Sequence, residues 1–283
     1  MKTLIIAGLA CALMLGSCGK GKSDGAAQTA SDSDSAVAET SVAKTIDTVV
    51  IDRINDIYQD KKHNMYLELV VDFPVNGPQP LLDSIRACLD NCLGSTYKGD
   101  MADGKSFMKH YHNDILKNGN ECKEDASEQM GHEAADMRFS QTFKATKVYE
   151  DANVVTYSLY DDYYCGGMYG ALNYNCKRSF FKPSGQSVTV RTLFADPDSP
   201  ELRNLIGTRY KAECEKIGID IEDAFEGTNF DEFPFPNLSP YIENGCVVFS
   251  YGKYDMNGAF VDLSFKASAL SKFMTGKAKA LFD

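Results

Sequence analysis

Two stretches early in the chain, 48–53 and 65–73, read as strands, and the second alternates apolar and polar residues with a period of two. In the second, Met65, Leu67, Leu69, Val71 and Phe73 form one apolar face, and Tyr66, Glu68, Val70 and Asp72 form a mixed, wetter one. Pro74 and Gly77-Pro78 are expected to end it. The period then changes. Leu81, Leu82, Ile85, Cys88, Leu89 and Cys92 recur at helical spacing, closed by Gly94. A second helix is predicted over 105–117, striped by Phe107, Met108, Tyr111, Ile115 and Leu116, with Asn118-Gly119 as its stop. The polar stretch 121–131 reads as a short helix or a loop.

Period two returns in 137–149, 154–164, 172–181 and 187–193, separated by the turns Asp151-Ala152-Asn153 and Pro183-Ser184-Gly185 and by a glycine-rich loop. These predict a four-strand antiparallel meander. Ser199-Pro200-Glu201 has the pattern of a helix start, and Leu202, Leu205, Ile206 and Tyr210 mark that helix's buried face. The Pro- and Phe-rich 230–236 is expected to pack over the core as a loop. Residues 241–251 read as a hairpin turning at Asn244-Gly245, 260–265 as a last strand, and 269–281 as a final helix opened by Ser268. The pattern predicts an α+β fold: an antiparallel sheet meander with helices packed on one face, in two intimately associated subdomains.

The first 45 residues follow a different logic. Lys2 precedes an apolar run over 4–15 and then Leu15-Gly16-Ser17-Cys18. A charged start, a short apolar core and small residues at the cut make a signal peptide, 1–17. The four residues at the cut resemble a bacterial lipobox, which implies cleavage before Cys18 and lipid on its sulfur and new amino group. Several acyl chains, each contributing ~0.8 kcal/mol per buried CH₂, anchor a protein stably to a membrane. Residues 18–45 carry that cysteine and a Gly/Ser/Ala/Asp/Lys-rich stretch that cannot bury enough apolar surface to order itself, so they read as a flexible tether. No later segment is long and apolar enough for a transmembrane helix. The expected location is the cell envelope, lipid-anchored in the outer membrane, with periplasmic and surface display both open.

A formal charge of −11 argues against nucleic acid and anionic lipid headgroups as partners and suits a cationic one. The chain has no Trp but 15 Tyr and 16 Phe, so an aromatic contact surface must use those. Of nine cysteines, Cys88, Cys92, Cys122, Cys165, Cys176, Cys214 and Cys246 remain after cleavage and lipidation, an odd number. Cys165 and Cys176 flank the glycine-rich loop on adjacent strands and are the candidate disulfide pair. Cys88 and Cys92 sit on an apolar helix face and read as core cysteines. His110 and His112 are two apart on a helix and do not share a face, so no metal site is expected there. No nucleophile elbow, zinc-protease or phosphate-loop motif occurs. Asp161 and Asp162 point to opposite faces of a strand and cannot form one acid/base pair. No catalytic residue, metal or other cofactor is expected.

The candidate binding residues are Tyr163, Tyr164, Gly166, Gly167, Met168, Tyr169 and Gly170. Glycines let the backbone turn or approach closely, and Tyr and Met supply adaptable contact area on a loop held by a sheet. The alternative is a tight strand connection whose glycines serve backbone geometry alone.

Tyr164-Cys165-Gly166-Gly167-Met168-Tyr169-Gly170, followed by Phe181-Lys182-Pro183-Ser184-Gly185, Thr192-Leu193-Phe194 and Gly245-Cys246-Val247-Val248-Phe249, resembles the DUF3298 family over 134–283. The strand, strand, helix order of 46–133 resembles the DUF4163 domain that commonly precedes it. The resemblance implies an extracytoplasmic, non-catalytic sensing or binding domain, similar to the outer part of lysozyme-sensing anti-sigma factors. It implies a lysozyme-like cationic protein or peptidoglycan as ligand. The chain departs from those relatives in lacking the cytoplasmic anti-sigma segment and membrane span, and in carrying Met168-Tyr169 where many have Ala-His. Two alternatives stay open: an envelope enzyme acting on glycan through carboxylates assembled by the fold, and a purely structural envelope protein.

Overall fold

Alternating burial organises the first half of the body in the computed structural model, which describes residues 48–166, 171–219, 228–252, 255 and 260–282. Five strands, β1 (Val50–Asp60), β2 (Met65–Asn76), β3 (Phe139–Glu150), β4 (Val154–Cys165) and β5 (Ala171–Phe181), form one sheet in the order β1-β2-β3-β4-β5. All neighbours are antiparallel except β2 and β3, which run parallel. A parallel pair needs a long crossover, and helices α1 (Gln79–Cys92) and α2 (Gly104–Met130) supply it. Both pack on the face made by Leu67, Leu69, Val71, Phe139, Phe143 and Leu159, closing one core cluster. The expected α+β architecture with helices on one face of the sheet is what the chain adopts; the parallel β2–β3 pair departs from the expected antiparallel meander, because the helical crossover brings β3 in beside β2 in the same direction. The expected boundary at 133/134 runs between β2 and β3, which are hydrogen-bonded in this one sheet.

A second core lies under a three-stranded sheet of β6 (Tyr241–Glu243), β7 (Cys246–Tyr251) and β8 (Val261–Lys266). Its helices are a four-residue α3 (Val190–Leu193), α4 (Pro200–Lys216), α5 (Ala267–Leu270) and α6 (Gly276–Lys279). Asn244 (φ 51°) and Gly245 (φ 70°) make the expected turn between β6 and β7. The buried hydroxyls of Thr156 and Ser179 join the two sheets: Thr156 Oγ1 donates to the Ile242 carbonyl at 2.6 Å, and Ile242 N–H donates to Ser179 Oγ at 2.8 Å. Thr45–Asp283 form one compact unit.

Four element expectations are corrected. β2 continues through Pro74 to Asn76; the missing N–H is tolerated because the register with β1 shifts beside it, between Val50 and Ile51. The second helix does not stop at Asn118-Gly119 but runs to Met130, where Gly131 (φ 70°) caps it. Gly119 is inside that helix for packing: a Cβ there would lie 2.8 Å from the Phe139 ring. Residues 187–193 give one β-bridge, Phe180–Ser187, and then α3, because Thr189 and Thr192 cap each other's backbone N–H groups and start a helical turn. The final helix is α5, a 3₁₀ turn (Ser271–Phe273) and α6 rather than one rod, since the chain bends to bury Leu270, Phe273, Met274 and Ala278 together.

Candidate functional site

The strand ends that carry the predicted loop are held by the second half of α2. Gly119, Cys122 and Ala126 recur at helical spacing, and each is small enough for close approach. Gly119 accepts the Phe139 ring, Ala126 lies against Gly166, and Cys122 is disulfide-bonded to Cys165 at the end of β4, with Cα atoms 6.5 Å apart. This overturns the expected Cys165–Cys176 pair. In the β4–β5 register Cys176 stands opposite Leu159, six residues along the strand from Cys165, roughly 20 Å at the strand rise. Gly166 takes φ 39°, its N–H donates to the Arg138 carbonyl at 3.0 Å, and a Cβ would meet Met137 Cε at 2.5 Å. Its glycine is therefore fixed by backbone geometry.

The two strand tyrosines point opposite ways. Tyr163 lies on the helix side, edge-on to the buried Phe139 with ring centroids 5.7 Å apart. Tyr164 lies on the other face, where the Arg138 guanidinium sits 5.6 Å from its ring centroid. Pairing places Gln59, Tyr66, Ser140, Tyr164 and Ala171 in one row across all five strands. Tyr66 and Tyr164 thus flank Ser140 on the same face, two strand spacings or roughly 10 Å apart. Beside them is a groove of about 410 Å³, lined by residues that include Gln59, Lys61, Asn64, Tyr66 and Arg138. Gly167, Met168, Tyr169 and Gly170 lie outside the described residues, as does Cys18.

The β1–β2 turn that forms one groove wall is internally braced. Asp60 accepts the backbone N–H groups of Lys62 and His63 and pairs with His63 Nδ1 at 2.6 Å. The His63 hydrogen bond holds the Asp60 carboxyl below its usual range. Lys123 of α2, almost fully buried, donates to the His63 carbonyl from beneath, and burial pushes its ammonium pKa down. Phe139 N–H donates to the Asn64 carbonyl at 2.9 Å. Turn, helix, disulfide and strand ends therefore form one fixed frame around the groove.

The other sequence candidates sit elsewhere. His112 Nδ1 pairs with Asp56 at 2.8 Å, while His110 Nε2 contacts the Thr96 hydroxyl at 2.9 Å, so the two rings serve different neighbours. Among the described residues, no group of three or more His, Cys, Asp or Glu side chains is placed to hold a metal ion. Asp161 faces the helix side and accepts from Gln141 Nε2 at 3.0 Å. Burial raises its pKa, and the acid that adds to the rise is Asp162, on the opposite face. Sequence reasoning missed Arg138 and Tyr66 as members of the site. Their signal was parity: once β2 and β3 are aligned, residues 66, 138, 140 and 164 share the wet face.

No family model and no curated protein matches the sequence. Solved structures do resemble it in fold. One is a member of the DUF3298 family from Bacteroides fragilis, at TM-score 0.63 and 14% identity, covering 81% of this chain and 96% of that one. Another is a DUF3298 family protein from Pseudomonas aeruginosa, at TM-score 0.55 and 12% identity, covering 82% and 97%.

Proposed function

From the premise that this body has the fold of the DUF3298 structures, we propose that it is a non-catalytic binding module of the cell envelope, tethered to a membrane through lipid on Cys18. Its site is the end of the five-stranded sheet, and its ligand is cell-wall glycan. The observation that carries the reading is the braced groove of Gln59, Asn64, Tyr66 and Arg138, continuous with the Tyr66–Ser140–Tyr164 row. Amide groups, a guanidinium and tyrosine rings on a rigid frame suit a polar, hydroxyl- and carboxylate-bearing ligand. The Cys122–Cys165 disulfide supports an oxidising compartment. Among the described residues no helix is long and apolar enough to cross a membrane.

The net charge of −11 favours a second reading, a lysozyme-like cationic protein steered to the same end of the molecule. A glycan hydrolase would need two carboxyls across a cleft, about 5–9.5 Å apart. Asp161 and Asp162 do not meet that requirement, because they lie on opposite faces of β4.

Calorimetric titration with soluble peptidoglycan fragments, beside Tyr164→Ala and Arg138→Ala, tests the proposal. Binding in the parent and a loss of about tenfold or more in each variant is the expected outcome, since a stacked or charge-assisted contact contributes about 1.5–3 kcal/mol. Equal affinity in all three proteins would place the ligand elsewhere.

A further inference from the structure

A second groove, of about 800 Å³, lies between the β3–β4 turn and the β6–β7 turn and is closed by the bent segment that follows β8. It shares no residue with the groove at Tyr66 and Arg138. Three exposed lysines line it, Lys266, Lys272 and Lys279. In the β7–β8 register Lys266 stands opposite Cys246, next to the turn. Lys272 is committed: its ammonium pairs with Glu201 and lies 4.7 Å from the Phe273 ring centroid. Lys266 and Lys279 have no hydrogen-bond or ion-pair partner among the described residues. Among those residues the one carboxylate in the lining is Asp151, and it is already occupied. Its Oδ1 accepts the Asn153 and Val154 N–H groups, both at 2.8 Å, and its Oδ2 accepts the Tyr149 hydroxyl at 2.7 Å.

The rest of the lining includes an apolar part. Met274 is buried, and Leu281 and Phe282 are half-buried against the second core. The walls are fixed to one another. Asn153 Nδ2 donates to the Leu281 carbonyl at 2.9 Å, and Ala267 N–H donates to the Gly245 carbonyl at 3.3 Å. We propose that this groove binds a small amphiphilic anion, a carboxylate or phosphate head on an apolar body. Lys266 and Lys279 hold the head, and Leu281 and Phe282 hold the body.

Charge, shape and size agree on this ligand class. Like charges lining one groove repel, and an anion between them removes that cost and gains charge-assisted hydrogen bonds. The net charge of −11 opposes an anion only at long range, and salt screens that field beyond about 8 Å. Contact inside the groove is decided by the two uncompensated lysines. The apolar lining adds affinity for an organic anion over an inorganic one. The volume falls in the range of small-molecule sites, about 300–1,000 Å³. The same head chemistry is offered by a soluble organic acid or phosphate ester and by an anionic lipid.

Calorimetric titration of the full chain in a neutral maltoside detergent tests the site, with phenyl phosphate, inorganic phosphate and benzyl alcohol as probes. Phenyl phosphate should bind about tenfold tighter than inorganic phosphate, and benzyl alcohol should not bind measurably. Lys266→Gln and Lys279→Gln should each weaken phenyl phosphate about tenfold, the loss of one charge-assisted contact. Lys277→Gln, which removes an exposed lysine of α6 outside the groove lining, should leave it unchanged. All three side chains are exposed, so an unchanged denaturant midpoint is expected and separates lost binding from lost folding. Displacement of phenyl phosphate by phosphatidylglycerol added to the micelles would assign the anionic head to a lipid, and its absence would assign it to a soluble anion. Failure of the parent to bind phenyl phosphate, affinity no greater than for benzyl alcohol, or an equal loss in Lys277→Gln would overturn the proposal.

Discussion

Asp161 and Asp162 are neighbours in sequence with opposite surroundings. Asp161 is turned to the helix side, where burial raises its pKa. The sign follows from linkage: a carboxyl whose folded pKa lies above the unfolded one destabilises the fold when ionised, and that cost disappears as pH falls through the folded value. Asp161→Asn should therefore raise the denaturant midpoint at neutral pH, with the gain vanishing below about pH 4. A gain that persists in acid would contradict the burial account. Glu150 behaves the opposite way. Burial pushes it up, but Lys147, Lys182 and the Val49 N–H together hold it below its usual range. Its contribution is present above the unfolded pKa and lost as pH falls through the folded one, so Glu150→Gln should lower the midpoint at neutral pH. The opposite faces of Asp161 and Asp162 were legible from strand period alone. The raised pKa of Asp161 was not, because it depends on which face the helices cover.

At the scale of elements, α2 shows what a local reading misses. Asn118-Gly119 is a stop signal by propensity, yet the glycine is retained for the Phe139 ring, and Gly119, Cys122 and Ala126 together bring the helix onto the strand ends. Gly119→Ala should cost about 1–3 kcal/mol by overpacking, although alanine is the better helix former. Stabilisation by that change would refute the close contact. Cys122→Ser opens a loop with a sequence separation of 43 and should cost about 2–4 kcal/mol in chemical denaturation. The disulfide partner could not be read from spacing, since an odd set of seven cysteines allows many pairings and the deciding fact, a helix crossing the end of β4, is tertiary. Strands β2 to β5 were legible because each is long and largely alternating, whereas β1 was read only to residue 53 although it runs to Asp60. The segments 187–193 and 269–281 were not, because a hydroxyl capping pair and a bend into the second core override their apparent period.

At the scale of the whole molecule, helices cover one face of the main sheet, the second sheet caps part of the other, and one end of the wet face is left with tyrosines and an arginine. The sequence pointed to this end through Tyr164 and its glycine neighbours. It did not show that Tyr163 belongs to the core or that Tyr66 and Arg138 join Tyr164, because that requires the parallel β2–β3 register. The measurement that tests the central claim most directly is the peptidoglycan-fragment titration of the protein and of Tyr164→Ala/Arg138→Ala, with lysozyme titrated in parallel at low and moderate salt. Glycan binding lost in the double variant is the predicted result. Unchanged glycan binding, or binding of lysozyme alone that the double variant retains, would contradict the assignment of the sheet end as the site.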